Sequence, residues 1–186
     1  MSILIGLTGR AGCGKDTAAE HLQAGYGFSA MSFAGPLKKT AATLFNLPDI
    51  YFHDRELKEK PLEDWDGLSP RHILQLLGTE AVRNTFGENF WIKRWLNEYC
   101  GMSIYSNVVV TDVRFNNEAQ VIRDMGGIIV HIVRPGDTAL DLAAVKHASE
   151  GGVMLYPNND VIMRNDGTLK DLSDKVAAMF DEVKAK

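Results

Sequence analysis

The amino-acid sequence predicts an α/β fold in three layers, a five-stranded parallel sheet with helices on both faces. Two observations carry this. Short apolar runs alternate with helix-period stretches, the pattern of strand–helix–strand units. The first run, Ile3-Leu4-Ile5, also feeds straight into Gly9-Arg-Ala-Gly-Cys-Gly-Lys15, a G-x-x-x-x-G-K sequence, and a helix-favouring stretch, Ala18-Ala-Glu-His-Leu22, leaves it.

The predicted strands are 2–8, 29–33, 107–111, 127–133 and 160–164. The predicted helices are 15–24, 36–45, 70–86, 90–99, 117–125 and 169–183. Pro36 and Pro70 sit where proline suits a first helical turn. The last helix opens with a capping box: Thr168 precedes Asp171 by three, after the turn pair Asp166-Gly167. With no repeat, low-complexity tract or linker, the 186 residues read as a single domain. The irregular part is 46–70. Its densely charged run at 53–66 suits a solvated surface or a mobile segment that closes over substrate.

The Gly9–Lys15 sequence in its strand–loop–helix setting is a phosphate-binding loop. Gly9, Gly12 and Gly14 allow left-handed backbone angles that turn N–H groups inward. The emerging helix presents its positive end to the same point. Lys15 reaches the β- and γ-phosphates. The next residue is normally Ser or Thr, whose hydroxyl ligates Mg²⁺. Here it is Asp16, also a hard oxygen donor, and Thr17 then faces the α-phosphate. Cys13 lies inside the loop, so its backbone N–H is the expected contact, and bound nucleotide is expected to shield its thiol from alkylation.

Asn107-Val-Val-Val-Thr-Asp112 is an apolar strand ending in a carboxylate, which in phosphate-loop proteins lies beside Mg²⁺ or the attacking group. Arg114 follows at the strand's carboxyl end, where ligands bind in open α/β sheets. Arg134 closes strand 127–133 and is placed over the donor phosphates or adenine. Arg71, Gln75, Thr79 and Arg83 are acceptor candidates on the middle helix, whose buried stripe is Ile73, Leu74, Leu77, Ala81 and Val82; the last three candidates share one face at i, i+4, i+8, which suits a nucleotide's amide edge and phosphate. Guanidinium forks match phosphate oxygens and stay charged. Phe33, at the end of the second strand, is placed for base stacking. Trp91 and Trp95, one turn apart, suit a core or a base platform. His147 and Glu150 are further substrate candidates. No Cys/His metal spacing or nucleophilic triad is present.

Net charge is -4 and pI about 5.7, which argues against a nucleic-acid-coating surface. No apolar run approaches the roughly 20 residues that span a bilayer. Met-Ser-Ile-Leu enters the first strand with no charged leader, so no secretory signal is expected. The two cysteines, Cys13 and Cys100, suit a reducing cytoplasm better than a disulfide framework.

Taken together, Gly-Arg-Ala-Gly-Cys-Gly-Lys-Asp-Thr17, Ser32-Phe-Ala-Gly-Pro-Leu-Lys38, Leu76-Leu-Gly-Thr-Glu80 with Arg83 and Phe90-Trp91, Thr111-Asp-Val-Arg-Phe115 with Asn117-Glu118, and His147-Ala-Ser-Glu150 resemble the deoxynucleoside monophosphate kinases of tailed bacteriophages, over about residues 3–170. The resemblance implies the phosphate-loop kinase fold of nucleoside monophosphate kinases. It implies ATP- and Mg²⁺-dependent phosphorylation of dNMP to dNDP, a homodimer, and host cytoplasm as location. In that family's pattern residues 9–17 (with Arg10 and Ala11) hold ATP phosphates, and Lys38, Arg71, Gln75 and Arg83 hold the acceptor. Lys15, Asp16, Asp112 and Arg114 stand at the reacting phosphates, with Asp16 and Asp112 as metal ligands. Two other readings differ in function. A kinase of another small metabolite, such as dephospho-coenzyme A, shares the first loop and the Asn165-Asp-Gly-Thr168 ending. A non-catalytic nucleotide switch would bind nucleotide without transferring phosphate.

Overall fold

The apolar run near the amino terminus becomes β1 (Leu4–Thr8), the middle strand of a five-stranded sheet. The order is β2 (Ser29–Met31), β3 (Val108–Val110), β1, β4 (Ile128–Val133), β5 (Val161–Arg164). All four pairings are parallel, with Leu4 opposite Val108 and Thr8 opposite His131. The computed structural model describes residues 2–102, 105–135 and 152–185. The chain divides into two compact units, one of Met1–Ser32 with Met102–Lys186, the other Phe33–Gly101.

In the first unit the helices are α1 (Lys15–Tyr26), α6 (Asn116–Asp124) and α7 (Leu169–Lys184). Those of the second are α2 (Gly35–Leu44), α3 (Pro70–Gln75), α4 (Asn84–Phe86) and α5 (Phe90–Cys100). Every residue of β1 is buried, as expected of a parallel strand covered on both faces. Alternate side chains serve opposite layers. Ile5 and Leu7 join Ala18, Ala19 and Leu22 of α1 and Leu172, Val176 and Met179 of α7 in one core. Gly6 faces the other way, where a side chain would meet Ile122 of α6 and Ile129 of β4 at 2.8 Å. The first unit is thus three layers deep, α1 and α7 on one face and α6 on the other. The capping box forms: Asp171 N–H donates to Thr168 Oγ1 at 3.2 Å, and Thr168 N–H to Asp171 Oδ2 at 2.6 Å.

In the second unit the irregular segment forms three 3₁₀ turns, Asp49–Phe52, Leu57–Glu59 and Glu63–Trp65. Phe52 of the first is buried with Ala41 and Ile73, and Trp65 of the third packs its ring against Phe45. The predicted helix 70–86 has the expected extent but not the expected form. After α3 it widens into a π-helix, Leu76–Arg83, before α4. Bonds then run i→i+5, and the buried positions follow: Ile73 and Gly78, five apart, are buried. Ala81, expected in the apolar stripe, is exposed. Leu37 of α2 occupies the space beside Gly78, where a Cβ would lie 2.6 Å from its Cδ2. Among the described residues no helix is long and apolar enough to cross a membrane.

Candidate active site

The loop after β1 has the backbone its glycines permit. Gly9, Gly12 and Gly14 have φ of 142°, 76° and 110°, a region costly for residues with a Cβ. Two of them also have no room for one. At Gly9 it would meet the Ile132 carbonyl oxygen at 2.3 Å, and at Gly14 the Asn165 Nδ2 at 2.5 Å. Gly14 caps α1, whose first turn carries Asp16. The Lys15 ammonium turns back into the loop and donates to the carbonyls of Gly9 (2.7 Å) and Arg10 (2.8 Å). A concentrated positive charge therefore stands where the loop curls, beside a helix amino terminus, the arrangement that binds phosphate.

Arg10, Ala11, Gly12 and Asp16 are exposed, and Thr17 is half-buried. Cys13 differs. Its side chain is 2 % exposed and packs in the main core, and its N–H donates to the Arg10 carbonyl at 3.2 Å. The fold itself shields this thiol, so the expected dependence of alkylation on nucleotide has no exposed thiol to act on.

The loop is flanked on both sides. The β1–β3 register pairs Gly6 with Val110, and Val113 N–H continues it onto the Leu7 carbonyl at 3.2 Å. Asp112 thereby comes level with Thr8, just before the loop. Glu118, buried in α6, accepts the N–H groups of Arg114 (2.8 Å) and Phe115 (3.1 Å), which fixes the turn that carries Arg114. Arg134 follows the last residue of β4, on the other flank of β1. Residues 9–17, Asp112, Arg114 and Arg134 thus gather at one sheet edge, the carboxyl ends of three adjacent strands.

The expected acceptor residues Phe33, Lys38, Arg71, Gln75, Thr79, Arg83 and Trp91 all fall in the second unit. Gln75 and Thr79 are exposed on the α3–π run. Arg71 forms an ion pair with Glu59, and the Arg83 guanidinium donates to the Glu88 carbonyl at 3.3 Å. Lys38 lies in the first turn of α2; burial, then the Lys38 charge, pushes the His53 imidazole below its ordinary pKa. The two aromatics are interior. Phe33 packs on Trp95, ring centroids 5.0 Å apart. Trp91 is buried, and its indole N–H donates to the Gly78 carbonyl at 3.0 Å, so it braces the π-helix. Glu150 and His147 lie outside the described residues.

Three features escape the sequence reading. Asn165, 7 % exposed, donates its Nδ2 to the Cys13 carbonyl at 2.8 Å. Glu118 braces the Arg114 turn. Asp160, whose side chain is fully shielded, accepts from Arg123 and His131. The first bond spans 152 positions of chain, and no local pattern announces it. Glu118 has a local signal, a carboxylate three residues beyond the Phe115 N–H that begins a helix.

The geometry suits anions better than bare metal ions. Among the described residues no group of three or more His, Cys, Asp or Glu side chains could hold a metal ion. Mg²⁺ does not need one, since it commonly takes one or two carboxylates together with phosphates and waters. Asp16 and Asp112 fit that limited role.

A family model described as deoxynucleotide monophosphate kinase matches residues 50–176. A protein of Acanthamoeba polyphaga mimivirus, named provisionally as a deoxynucleotide monophosphate kinase, is 34% identical over 192 residues that cover 96% of each chain. The deoxynucleotide monophosphate kinase of Enterobacteria phage T4 is 33% identical over 113 residues, 60% of this chain and 45% of that one. The match therefore takes in less than half of the phage protein. Among solved structures, dephospho-CoA kinase from Campylobacter jejuni has a TM-score of 0.53, with 98% of both chains covered at 14% identity. That is a likeness of fold alone.

Proposed function

This chain belongs to the deoxynucleotide monophosphate kinase family, and from that premise we propose how its residues move a phosphoryl group from ATP to a deoxynucleoside monophosphate. The observation that carries the proposal is the loop itself: glycine backbone that excludes side chains, a helix amino terminus and the Lys15 ammonium at one point.

Lys15 and the N–H groups of residues 9–17 hold the donor phosphates. Arg134 lies over them from the β4 side. Asp16 and Asp112 are the carboxylates available to Mg²⁺, which when bound screens charge on the donor phosphates. Arg114 faces the reacting phosphates from the β3 side, held by Glu118. In the second unit Lys38, Arg71 and Arg83 take the acceptor phosphate, and Gln75 and Thr79 offer amide and hydroxyl groups to the nucleoside. Phe33 and Trp91 support these residues from inside. Glu150 is retained as an acceptor contact, and a homodimer in host cytoplasm is carried over from the phage resemblance.

No covalent enzyme intermediate is required. An oxygen of the acceptor phosphate attacks the γ-phosphorus in line and ADP leaves. The protein contributes position and cationic charge for the three equatorial oxygens. Arg71 enters this scheme paired with Glu59, so an acceptor phosphate has to compete with that carboxylate. Both partners are about half exposed, where such pairs are worth at most about 1 kcal/mol, so a phosphate dianion can displace Glu59.

A coupled ADP-release assay with ATP, Mg²⁺ and each of the four common dNMPs, plus dephospho-coenzyme A, tests the proposal. ADP release that depends on a dNMP supports it and reports base preference. Release with dephospho-coenzyme A alone would move the acceptor to that metabolite. ATP binding with no release under any acceptor would favour the nucleotide switch.

A further inference from the structure

Asn165 makes a contact that reaches the donor site from behind. It follows β5 directly, and its backbone N–H donates to the Val133 carbonyl at 2.7 Å, extending the β4–β5 ladder by one residue. Its side chain is fixed from the other end, with Nδ2 donating to the Cys13 carbonyl at 2.8 Å. The residue is buried, so this donor has no access to bulk water. The Cβ position of Gly14 would fall 2.5 Å from the same Nδ2, so the amide presses against the loop at the two residues before Lys15.

The chemistry follows from the planarity of one peptide. In the trans Cys13–Gly14 unit the carbonyl and the Gly14 N–H point in opposite directions. A donor that holds the Cys13 carbonyl on the buried side therefore aims the Gly14 N–H away from that side. Gly14 is the cap of α1, and N–H groups at this point are those a phosphate-binding helix terminus presents. The buried Cys13 side chain and the Gly14 carbonyl, which accepts from Ala18 N–H at 2.9 Å, anchor the two ends of this stretch, while φ 110° at Gly14, a residue free to take several conformations, leaves the peptide between them to be set by the Asn165 bond.

We propose that Asn165 is a positioning residue for ATP: its side chain locks the Cys13–Gly14 peptide so that the Gly14 N–H faces the donor phosphates. It touches no substrate and acts only through the loop. This rests on the reading of residues 9–17 as the ATP site.

The test compares Asn165→Asp, Asn165→Ala and Lys15→Ala by initial rates and thermal melting. Asn165→Asp keeps the shape but sets a carboxylate against a carbonyl oxygen. The expected result is a rise of about tenfold in KM for ATP, as for loss of one buried hydrogen bond, with the KM for dNMP within about twofold. Burial and the facing carbonyl raise the pKa of that carboxyl, and once protonated it is again a donor. The ATP defect of Asn165→Asp is therefore expected to shrink as pH falls from 8 to 6, against a flat wild-type ratio. A residue that merely filled space would show no such pH rescue. Equal KM values for ATP in wild type and both Asn165 variants would overturn the proposal, as would a lowered melting temperature with unchanged KM values. If Asn165→Ala does not fold, the Asn165→Asp pH series decides alone. Lys15→Ala separates the two levels: if it leaves ATP use intact, the site reading fails; if it disables ATP use while Asn165 variants do not, only this inference fails.

Discussion

The Arg123 guanidinium grips the Asp160 carboxylate twice, Nε to Oδ1 at 3.0 Å and Nη2 to Oδ2 at 2.7 Å. The pair joins α6 to the start of β5. Tyr156 N–H (2.9 Å) and His131 Nε2 (3.1 Å) reach the same carboxylate, and the guanidinium lies 4.3 Å from the centre of the Tyr156 ring. Both side chains are shielded, 7 % exposed for Arg123 and 0 % for Asp160.

Removing one partner strands a buried charge. Arg123→Ala is expected to lower unfolding free energy by about 3–5 kcal/mol, measured by urea denaturation. A loss under about 1 kcal/mol, the usual worth of an exposed pair, would contradict this account.

The same cluster predicts how stability depends on pH. Burial, and then the Arg123 charge, lowers the His131 pKa against the opposing pull of Asp160. The unfolded chain therefore takes up the proton first as pH falls, so stability is full above about 6.5 and declines below it. Burial would raise the Asp160 pKa, but the bonds from Arg123, Tyr156 N–H and His131 outweigh it and lower it. Its contribution is full above about 3.9 and is lost below that as pH falls through the depressed value. Denaturation midpoints taken from pH 8 to 5 are expected to fall in wild type and to flatten in His131→Gln. An unchanged slope in the variant would assign the decline to other groups.

What could be read in the sequence was local. The strand runs, the loop glycines, Pro36, Pro70 and the Thr168–Asp171 box each lie within a few residues of what they determine, and each appears where expected. What could not be read depends on distant partners. The π-helix has an ordinary helical sequence, and its widening accompanies two contacts made elsewhere in the unit, Leu37 against Gly78 and Trp91 on the Gly78 carbonyl. The hydrogen bond of Asn165 and the burial of Asp160 likewise need the folded sheet before they exist.

Lys15→Ala is expected to reduce turnover by roughly 10²–10³, as for loss of one preorganised electrostatic donor. Steady-state kcat with ATP and the preferred dNMP measures it. A decrease below about threefold would contradict the role given to this lysine.

Arg83→Ala is expected to raise the KM for dNMP, leaving the KM for ATP nearly unchanged. Matched titrations of each substrate separate the two. A selective loss of ATP affinity would transfer Arg83 to the donor side.

Trp91→Phe keeps an aromatic ring but removes the donor to Gly78 together with part of the buried bulk. A loss of at least about 1 kcal/mol in stability is expected, from the hydrogen bond and the cavity together, with a raised KM for dNMP because Thr79 and Arg83 ride on the braced run. Lost stability with an unaltered KM would limit Trp91 to holding the fold.

The central place of β1 has a consequence for biosynthesis. Residues 4–8 leave the ribosome before their sheet neighbours, residues 108–110 and 128–133. A parallel strand cannot be seated before its neighbours exist, and such distant pairings form slowly. The loop after β1 is therefore translated well before it can take shape, and a nascent chain halted short of β3 has no strand beside β1 on which to build that loop.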